Sequence, residues 1–390
     1  MGNVLVKDCQ LPENPDEVWQ IFSQAVDNDN IPLVQNILSQ LDGNRKLDFL
    51  TKPDGNGNSV VHKSVIVQSR MLNTLLDQLN VDERFVVLSK SNHCLQTPLH
   101  HATVKHASNA AETILSSINK EKRMELLLMK DSFGLTALHI AANRVSSRVM
   151  DSKIFQTLVD SHAKEANSND YASLYGALDS NNQTPLHLAC LSGNLDVAIF
   201  ILERMSECIP QNVYYLLLNA LSFPSANSPV HLAADYGLYD IIDLMKDSLD
   251  KEQWFTLLRK GNSRKSTPLH LAASSGKHDT VSIICNSVNY QQFCTLLSLK
   301  DEYQSTPLNI AFELGQMEVV NVIKNTLSKM DWLNTVEALH GEHRNRNAQL
   351  RKLGASESIL QSIEQGYSRM LDSIVHTEVE LVMETDDTEG

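Results

Sequence analysis

Histidine is the residue type in this chain whose number and spacing could support catalysis or metal binding. The 390 residues include 14 histidines, and imidazole can act as a general acid, a general base or a metal ligand near neutral pH. Six of them, however, recur as the fourth residue of one repeated phrase: His62, His100, His139, His187, His231 and His270. Because the whole phrase recurs with them, we predict a structural role, a hydrogen bond across a helix start.

The other candidate chemical sites are incomplete. His340 and His343 have metal-like spacing on one helix face, but no Cys, Asp or Glu pattern completes a ligand set. The six cysteines form no CxxC pair, which favours reduced thiols in a cytosolic protein. There is no phosphate-binding glycine loop, no HExxH and no Gly-x-Ser-x-Gly. We therefore expect no catalytic, cofactor or metal site, and no enzyme.

The repeated phrase occurs seven times and reads Thr-Pro-Leu-His-Leu-Ala in its commonest form. Its copies are separated by 38, 39, 48, 44, 39 and 39 residues, and the last copy carries Asn309 in place of histidine. The copies begin at Ser59, Thr97, Thr136, Thr184, Ser228, Thr267 and Thr306. A fixed period of this size is typical of a chain built from stacked units, each burying the face of its neighbour.

The phrase has the chemistry of a helix start. Thr or Ser can cap the helix with its hydroxyl, and Pro suits the first helical position, where no amide hydrogen is needed. In four copies a glycine follows nine residues after the cap, where it can end the helix in a left-handed turn. A second apolar-periodic helix follows, as in LDVAIFILERM from Leu195. Each unit is thus predicted to contain two antiparallel helices and a polar turn.

This unit resembles the ankyrin repeat, whose signature is a turn and two helices around T-P-L-H-x-A. The resemblance covers most of the chain and implies an all-α solenoid of helix-turn-helix units with short hairpin turns. Its motif residues would be structural: Thr97, His100, Thr136, His139, Thr184, His187, Ser228, His231, Thr267, His270, Thr306 and Asn309.

The units are about six residues longer than the usual 33 of the ankyrin repeat. An apolar pair precedes most caps by nine and ten residues: Phe49–Leu50, Val87–Leu88, Leu126–Leu127, Leu257–Leu258 and Leu296–Leu297. We interpret the excess as an extra helical turn or two, docked under the hairpin. The interval from Thr136 to Thr184 carries nine further residues, and we predict a surface loop there, around His162.

Extending the register outward finds a degenerate copy at each end, as expected for units that cap a solenoid. We predict seven regular repeats and two capping repeats. The predicted division is a flexible N-terminus over 1–15, a capping repeat over 16–45, a repeat array over 46–330, a second capping repeat over 331–370, and an acidic disordered tail over 371–390.

Charge and apolar content exclude several function classes. The net charge of −14 disfavours a general role in binding nucleic acid or anionic membranes. The longest apolar stretches, about ten residues, are too short to span a bilayer. Val6 stands where the myristoylation pattern requires Ser or Thr, which disfavours N-terminal lipidation. We expect a cytoplasmic monomer, with the nucleus as the alternative location.

Since no chemical site is predicted, we expect the protein to function through binding at its surface. The resemblance implies a non-catalytic scaffold or adaptor that binds a protein partner with its turn tips and first-helix face. The alternative is a regulatory or targeting subunit of an enzyme or membrane complex, including a pathogen effector acting in a host cell. The position three residues before each cap is unrepeated, and the candidate partner-binding residues lie there and just after the first helix: Phe133, Arg144, Asn181, Tyr236, Arg264, Lys277 and Tyr303. Packing on the next turn is the alternative for Phe133 and Tyr303.

Overall fold

The computed structural model describes residues 12, 14–67, 69–143, 150–163, 166–336 and 338. Over these ranges the regular secondary structure is helical and no strand occurs, so the predicted all-α class is confirmed. The chain divides into two compact units, Met1–Phe223 and Pro224–Gly390. The predicted site residue Arg144, the pair His340 and His343, and most of the predicted C-terminal cap and tail lie outside the described residues.

Helices follow one another in groups of three through the first unit. In chain order they are α1 (Pro15–Asp27), α2 (Ile31–Gln40), α3 (Gly43–Thr51), α4 (Val60–Val67), α5 (Ser69–Leu76), α6 (Val81–Leu88), α7 (Pro98–Val104), α8 (Ser108–Ser116), α9 (Lys120–Leu128), α10 (Ala137–Ala142), α11 (Met150–Ala163), α12 (Ser168–Tyr175), α13 (Pro185–Ser192), α14 (Leu195–Cys208) and α15 (Gln211–Leu218).

The second unit repeats the same grouping. Its helices are α16 (Pro229–Tyr236), α17 (Tyr239–Asp247), α18 (Lys251–Arg259), α19 (Pro268–Ser274), α20 (His278–Asn286), α21 (Tyr290–Ser298), α22 (Pro307–Glu313) and α23 (Met317–Thr326). A further helical stretch covers residues 329–336.

Equivalent helices pack against each other in layers. In the first unit α4, α7, α10 and α13 form one layer, and α5, α8, α11 and α14 form a second. In the second unit the corresponding layers are α16, α19, α22 and α17, α20, α23. Within each compact unit, the apolar faces of the helices are therefore buried against the neighbouring repeats, as a repeat chain requires.

The helix starts and ends follow the predicted local chemistry. Thr184 accepts the backbone N–H of His187 and Pro185 occupies the first helical position of α13. The helix ends at Gly193, whose φ of 67° is left-handed and therefore suits a residue without a Cβ atom. His106 stands at the equivalent place after α7 with a φ of 55°, so glycine is common at this position but not obligatory.

The additional length of each repeat is taken up by a separate third helix of eight or nine residues. The third helices begin at their own caps: Asn80, for example, accepts the N–H of Glu83, whose carboxylate accepts the N–H of Asn80. The apolar pairs noted in the sequence lie on these helices and are buried; Leu126 and Leu127 have no exposed surface. The predicted extra helical turns are therefore present, and they form a helix of their own because a new cap starts it.

The surface loop predicted around His162 is wrong. Helix α11 continues to Ala163, and α12 begins at Ser168, where Asn167 and Asp170 form a reciprocal capping box. Part of the extra length is instead taken up by α11, which has 14 residues where α8 has nine. The Asn-x-x-Asp pattern inside the proposed loop is a helix-start signal, and it outweighs the polar composition of the segment.

Arginines on two third helices tie neighbouring layers of the first unit together. Arg123 donates to the carbonyls of Leu115 (2.9 Å) and Ile118 (3.2 Å) at the end of α8, and to Ser161 (2.7 Å) on α11. One repeat earlier, Arg84 donates in the same way to the carbonyls of Leu76 and Ser117. Each guanidinium thus donates to carbonyls at or near the C-terminal ends of two successive second helices.

The helices at the two ends of the described chain also bury aromatic side chains. In α1 the indole N–H of Trp19 donates to the carbonyl of Phe49 at 3.3 Å, and the rings of Phe22 and Phe49 meet edge to face. In the second unit Trp332 is buried and stacks on Phe312, with 6.5 Å between the ring centroids. The assignment of these ends as capping repeats stays a prediction.

Candidate protein-interaction surface

An aspartate or asparagine five residues before the cap holds each of six turns. Asp131 Oδ1 accepts the backbone N–H groups of Phe133 and Leu135, each at 2.9 Å. The same pair of hydrogen bonds is accepted by Asp54, Asn92 and Asp179 in the first compact unit and by Asn262 and Asp301 in the second. The turn is thus fixed by its own short polar side chain, which leaves the side chain three residues before the cap unconstrained by turn geometry.

Within each compact unit, backbone hydrogen bonds link the turn of one repeat to the turn of the next. The N–H four residues before one cap donates to the carbonyl three residues before the preceding cap, as from Ser132 to Cys94 (2.9 Å) and from Glu302 to Arg264 (2.8 Å). These bonds set the turn tips side by side. The first unit presents the row Asn56, Cys94, Phe133 and Asn181, and the second unit presents Ser225, Arg264 and Tyr303.

The turn around Pro224 departs from this pattern. Proline has no N–H to donate, and the N–H of Phe223 donates to the carbonyl of Asn181 instead, at 2.7 Å. Phe223 stands where six other turns have Asp or Asn, and its side chain is 66% exposed. The division of the chain into two units falls between these two residues.

The predicted partner-binding residues of the turn rows are largely solvent-exposed. The exposed fraction is 69% for Phe133 and 63% for Tyr303, so neither ring is buried against a neighbouring turn. Arg264 is also exposed and lies 3.6 Å from a carboxylate oxygen of Glu302. Asn181 is exposed as well, and its backbone carbonyl is the acceptor for Phe223.

A groove runs between the turn row and the first helices of the second unit. It encloses about 730 Å³ and is lined on the turn side by Ser225, Arg264 and Tyr303 and on the helix side by Asp235, Ser274, Glu313 and Leu314. The structure therefore brings Arg264 and Tyr303 together at one cavity. Tyr236 and Lys277 do not line it: Tyr236 is exposed at the end of α16, and the aliphatic chain of Lys277 lies against Gly237.

The motif histidines use both ring nitrogens in structural hydrogen bonds. His187 Nδ1 accepts the backbone N–H of Thr184 at 3.1 Å, and Nε2 lies 3.2 Å from the carbonyl oxygen of Ala220. A backbone N–H can only donate, so the proton resides on Nε2, which donates to the carbonyl. The other carbonyl acceptors are Gln96 for His62, Leu135 for His100, Gln183 for His139, Lys260 for His231 and Ser305 for His270.

Burial favours the neutral form of four of these imidazoles. Desolvation lowers the pKa of His62 from 6.5 to about 4, against the opposing effect of its hydrogen bond to the Gln96 carbonyl. Desolvation also lowers the pKa of His100, His139 and His270. With both nitrogens engaged and the neutral form favoured, these side chains are built into the helix starts.

Asn309 replaces the histidine in the last copy of the motif. Its Oδ1 accepts the hydroxyl hydrogen of Thr306 at 2.9 Å, and its backbone N–H donates to the Thr306 hydroxyl oxygen at 3.2 Å. The helix start is thus preserved with an amide in place of an imidazole. The substitution is possible because both groups can donate and accept.

Two other kinds of site are absent from the described residues. Within those ranges, no cluster of three or more His, Cys, Asp or Glu side chains has the geometry to hold a metal ion. In the same part of the chain, no helix has both the length and the apolar character needed to cross a bilayer.

The comparison with protein families decides the assignment. The family model of ankyrin repeats, which spans three copies, matches residues 120–212 and 230–331, half of the chain. The chain belongs to the ankyrin repeat family. Ankyrin repeats are generally protein–protein interaction modules, and their fold is typically non-catalytic.

Two individual proteins resemble parts of this ankyrin repeat chain. The crystal structure of the ankyrin repeat domain of Bcl-3, a unique member of the IκB family, has a TM-score of 0.50 and 19% identity, and the match covers 69% of this chain and 99% of that one. At this identity the likeness concerns the fold alone. The glycerophosphocholine phosphodiesterase GDE1 of Candida albicans is 27% identical over 170 residues, 43% of this chain. The match spans only 13% of that protein's length.

Several surface residues were missed by the sequence reasoning. Asp235 and Glu313 line the groove seven residues after their caps, and Leu314 follows at the next position. Phe223 had a sequence signal, since it breaks the run of Asp or Asn five residues before the cap. The groove-lining residues had none, because which side of a short helix faces the turn row is decided by packing.

Proposed function

We propose that this ankyrin repeat protein is a non-catalytic scaffold or adaptor that binds a protein partner along the turn rows and first-helix face of its repeats. The observation that carries the proposal is the combination of a rigid turn frame with variable, exposed side chains at its tips. Phe133, Arg264 and Tyr303 are of the residue types that anchor protein interfaces, and each is exposed where neighbouring turn tips are aligned by backbone hydrogen bonds.

A regulatory or targeting subunit of an enzyme or membrane complex is the second candidate. The match to a protein named as a phosphodiesterase, over 13% of that protein's length, supports an ankyrin segment working beside a catalytic one. Recovery of an enzyme whose activity changes on binding would favour this candidate over a scaffold.

The cytoplasm is the proposed location. Cys190 and Cys285 are free thiols, and burial raises the pKa of each to about 12, which suits reduced, unreactive side chains. Fractionation of the native cell would test this, and recovery from a secreted fraction would contradict it.

The experiment that tests partner binding replaces Phe133, Arg264 and Tyr303 by Ser in the full chain, with folding checked by circular dichroism. Affinity purification and mass spectrometry should then lose the partner recovered with the parent chain. A matched control replaces Leu216, Tyr239 and Arg259 by Ser, since these exposed side chains lie on second and third helices. Equal loss in both variants, or no loss in either, would place the binding surface elsewhere.

A further inference from the structure

The groove of the second unit has walls of different chemistry. Its turn wall carries Arg264 and Tyr303, and its helix wall carries Asp235, Ser274 and Glu313 from three consecutive first helices. Its volume of about 730 Å³ falls within the range of ligand-binding pockets in proteins, about 300–1,000 Å³. Since it continues across three repeats, its shape suits an extended chain rather than a compact molecule.

Negative charge predominates in the groove. Asp235 and Glu313 lie on the helix wall, whereas Arg264 is the one lysine or arginine among the described lining residues, and it is already close to Glu302. His270 also lines the groove, but its Nδ1 accepts a backbone N–H and its Nε2–H donates to Ser305, so it contributes no positive charge.

The carboxylates differ in what they already bind. Asp301 is buried and accepts the N–H groups of Tyr303 and Ser305 at 2.9 Å each, so it belongs to the turn frame. Asp235 accepts one hydrogen bond, from the hydroxyl of Ser275 at 2.6 Å. A carboxylate has capacity for several donors, which leaves Asp235 able to accept a further N–H from a ligand.

Two large apolar side chains are exposed at one end of the same groove. Tyr303 is 63% exposed on the turn wall and Leu314 is 55% exposed on the helix wall. Exposed apolar surface beside charged groups is typical of an interaction site. The groove therefore combines an apolar subsite with an acidic wall.

Small hydroxyl side chains make up much of the remaining lining. Ser225, Ser263, Ser266, Ser274 and Ser305 all contribute. Serine can both donate and accept a hydrogen bond, so Ser225, Ser263 and Ser274, which are not buried, can pair with the N–H and C=O groups of a peptide backbone without filling the groove.

We propose that this groove binds an extended segment of a partner protein that carries a lysine or arginine beside a large apolar residue. The basic side chain lies against Asp235 and Glu313, and the apolar side chain contacts Tyr303 and Leu314. This inference rests on the proposed protein-binding function and specifies the chemistry of the partner. Charge complementarity selects a basic segment, because an acidic one would be repelled by the helix wall.

A phage-displayed library of random linear peptides, selected on the full chain, tests the groove directly. The enriched peptides should combine Lys or Arg with a neighbouring large apolar residue. Binding of a labelled synthetic copy of the most enriched peptide should weaken about tenfold in the double variant Asp235→Asn, Glu313→Gln, the effect of losing two partly exposed charge pairs. It should also weaken as salt is raised.

The matched control is the double variant Asp240→Asn, Glu252→Gln, which removes the same charge from exposed positions on α17 and α18 outside the groove lining. It should bind the peptide as the parent chain does. Enrichment of acidic or uncharged peptides, or equal binding by the groove variant and the parent, would overturn the groove assignment. If the peptides bind the groove variant as tightly as the parent chain, the groove assignment fails but the protein-binding function does not, so the two failures are distinguishable.

Discussion

At the residue scale, each motif histidine makes hydrogen bonds to two successive repeats. In each, Nδ1 accepts the N–H of the cap residue of its own helix, and Nε2–H reaches a carbonyl 29 to 44 residues further along the chain. One side chain thus fixes a local helix start and a contact with the following repeat. Removing it leaves a buried N–H and a partly buried C=O without that hydrogen-bond partner.

Replacing His187 by Ala is expected to lower the free energy of unfolding by about 1–2 kcal/mol, the cost of stranding hydrogen-bonding groups at a buried site. Denaturant titration measures the change. His93→Ala is the matched control, since His93 is exposed in a turn, and it should change stability little. A His187 variant of full stability that lost partner binding would instead indicate a functional role for this side chain.

Acidification is expected to destabilise the fold through the same histidines. The pKa of His62 is about 4 in the folded chain and 6.5 in its ordinary state, so below pH 6.5 the unfolded chain binds protons that the folded chain resists. The contribution of His62 to stability is therefore complete well above pH 6.5 and is lost as the pH drops towards 4, by up to about 1.4 kcal/mol per pH unit.

Unfolding free energies measured between pH 7 and about pH 5 test this expectation. The variant His62→Asn, which has a natural precedent in Asn309, removes one titrating group while keeping an amide that can bond. Its stability should fall less steeply with acid than that of the parent chain. Parallel pH profiles for the two proteins would show that His62 does not contribute.

At the element scale, the third helix distinguishes these repeats from ankyrin repeats of the usual 33 residues. In most repeats it begins at its own polar cap and buries an apolar pair, and on α6 and α9 it carries an arginine that bonds to two second helices. Arg123 on α9 bonds the end of α8 and also Ser161 of α11. The third helix therefore supports the contact between successive second helices.

Replacing Arg123 by Ala should cost about 2 kcal/mol of unfolding free energy, the scale for hydrogen bonds from a charged donor to carbonyls that then lack partners. Arg123→Lys should recover only part of this, because an ammonium group cannot span the carbonyls of α8 and α11 with the same fork. Thermal and denaturant unfolding measure both, with the exposed Lys90→Ala as control. A fully stable Arg123→Ala variant would contradict the bridging role.

At the scale of the whole molecule, each unit must cover the apolar flank of its terminal repeat. In the first unit α1 packs against α4, and Phe22 and Val26 of α1 have no exposed surface. Lys63 of α4 also donates to Ser23 at 3.1 Å and lies 3.3 Å from Asp27. In the second unit, the buried Trp332 contacts Phe312 of α22.

A shortened chain of residues 46–330 is expected to aggregate or to lose its terminal repeats, since it lacks α1, α2 and Trp332 and exposes the apolar surface they bury. Light scattering and circular dichroism measure the outcome. Removing only residues 1–13 is the control and leaves α1 in place, so it should be tolerated. A soluble 46–330 chain with the stability of the parent would show that the end segments are not capping repeats.

Local chemistry explains what could be predicted from the sequence. The cap at Thr184, the proline after it and the glycine at 193 act within about one helix, so their spacing alone predicted the start and end of α13. Repetition of that pattern predicted the repeat architecture and the family. The structural role of His187 followed from the same repetition, because a catalytic group would not need to recur in every unit.

Packing between repeats decided the rest. Three features depend on residues that lie far apart in the chain. Asp235 and Glu313 face the groove, His187 bonds to the carbonyl of Ala220, and Arg123 bonds to Ser161. Periodicity states that such contacts recur but not which atoms meet. That selection depends on how complete helices fit together, because buried polar groups and apolar faces take whichever partner the packed neighbour presents.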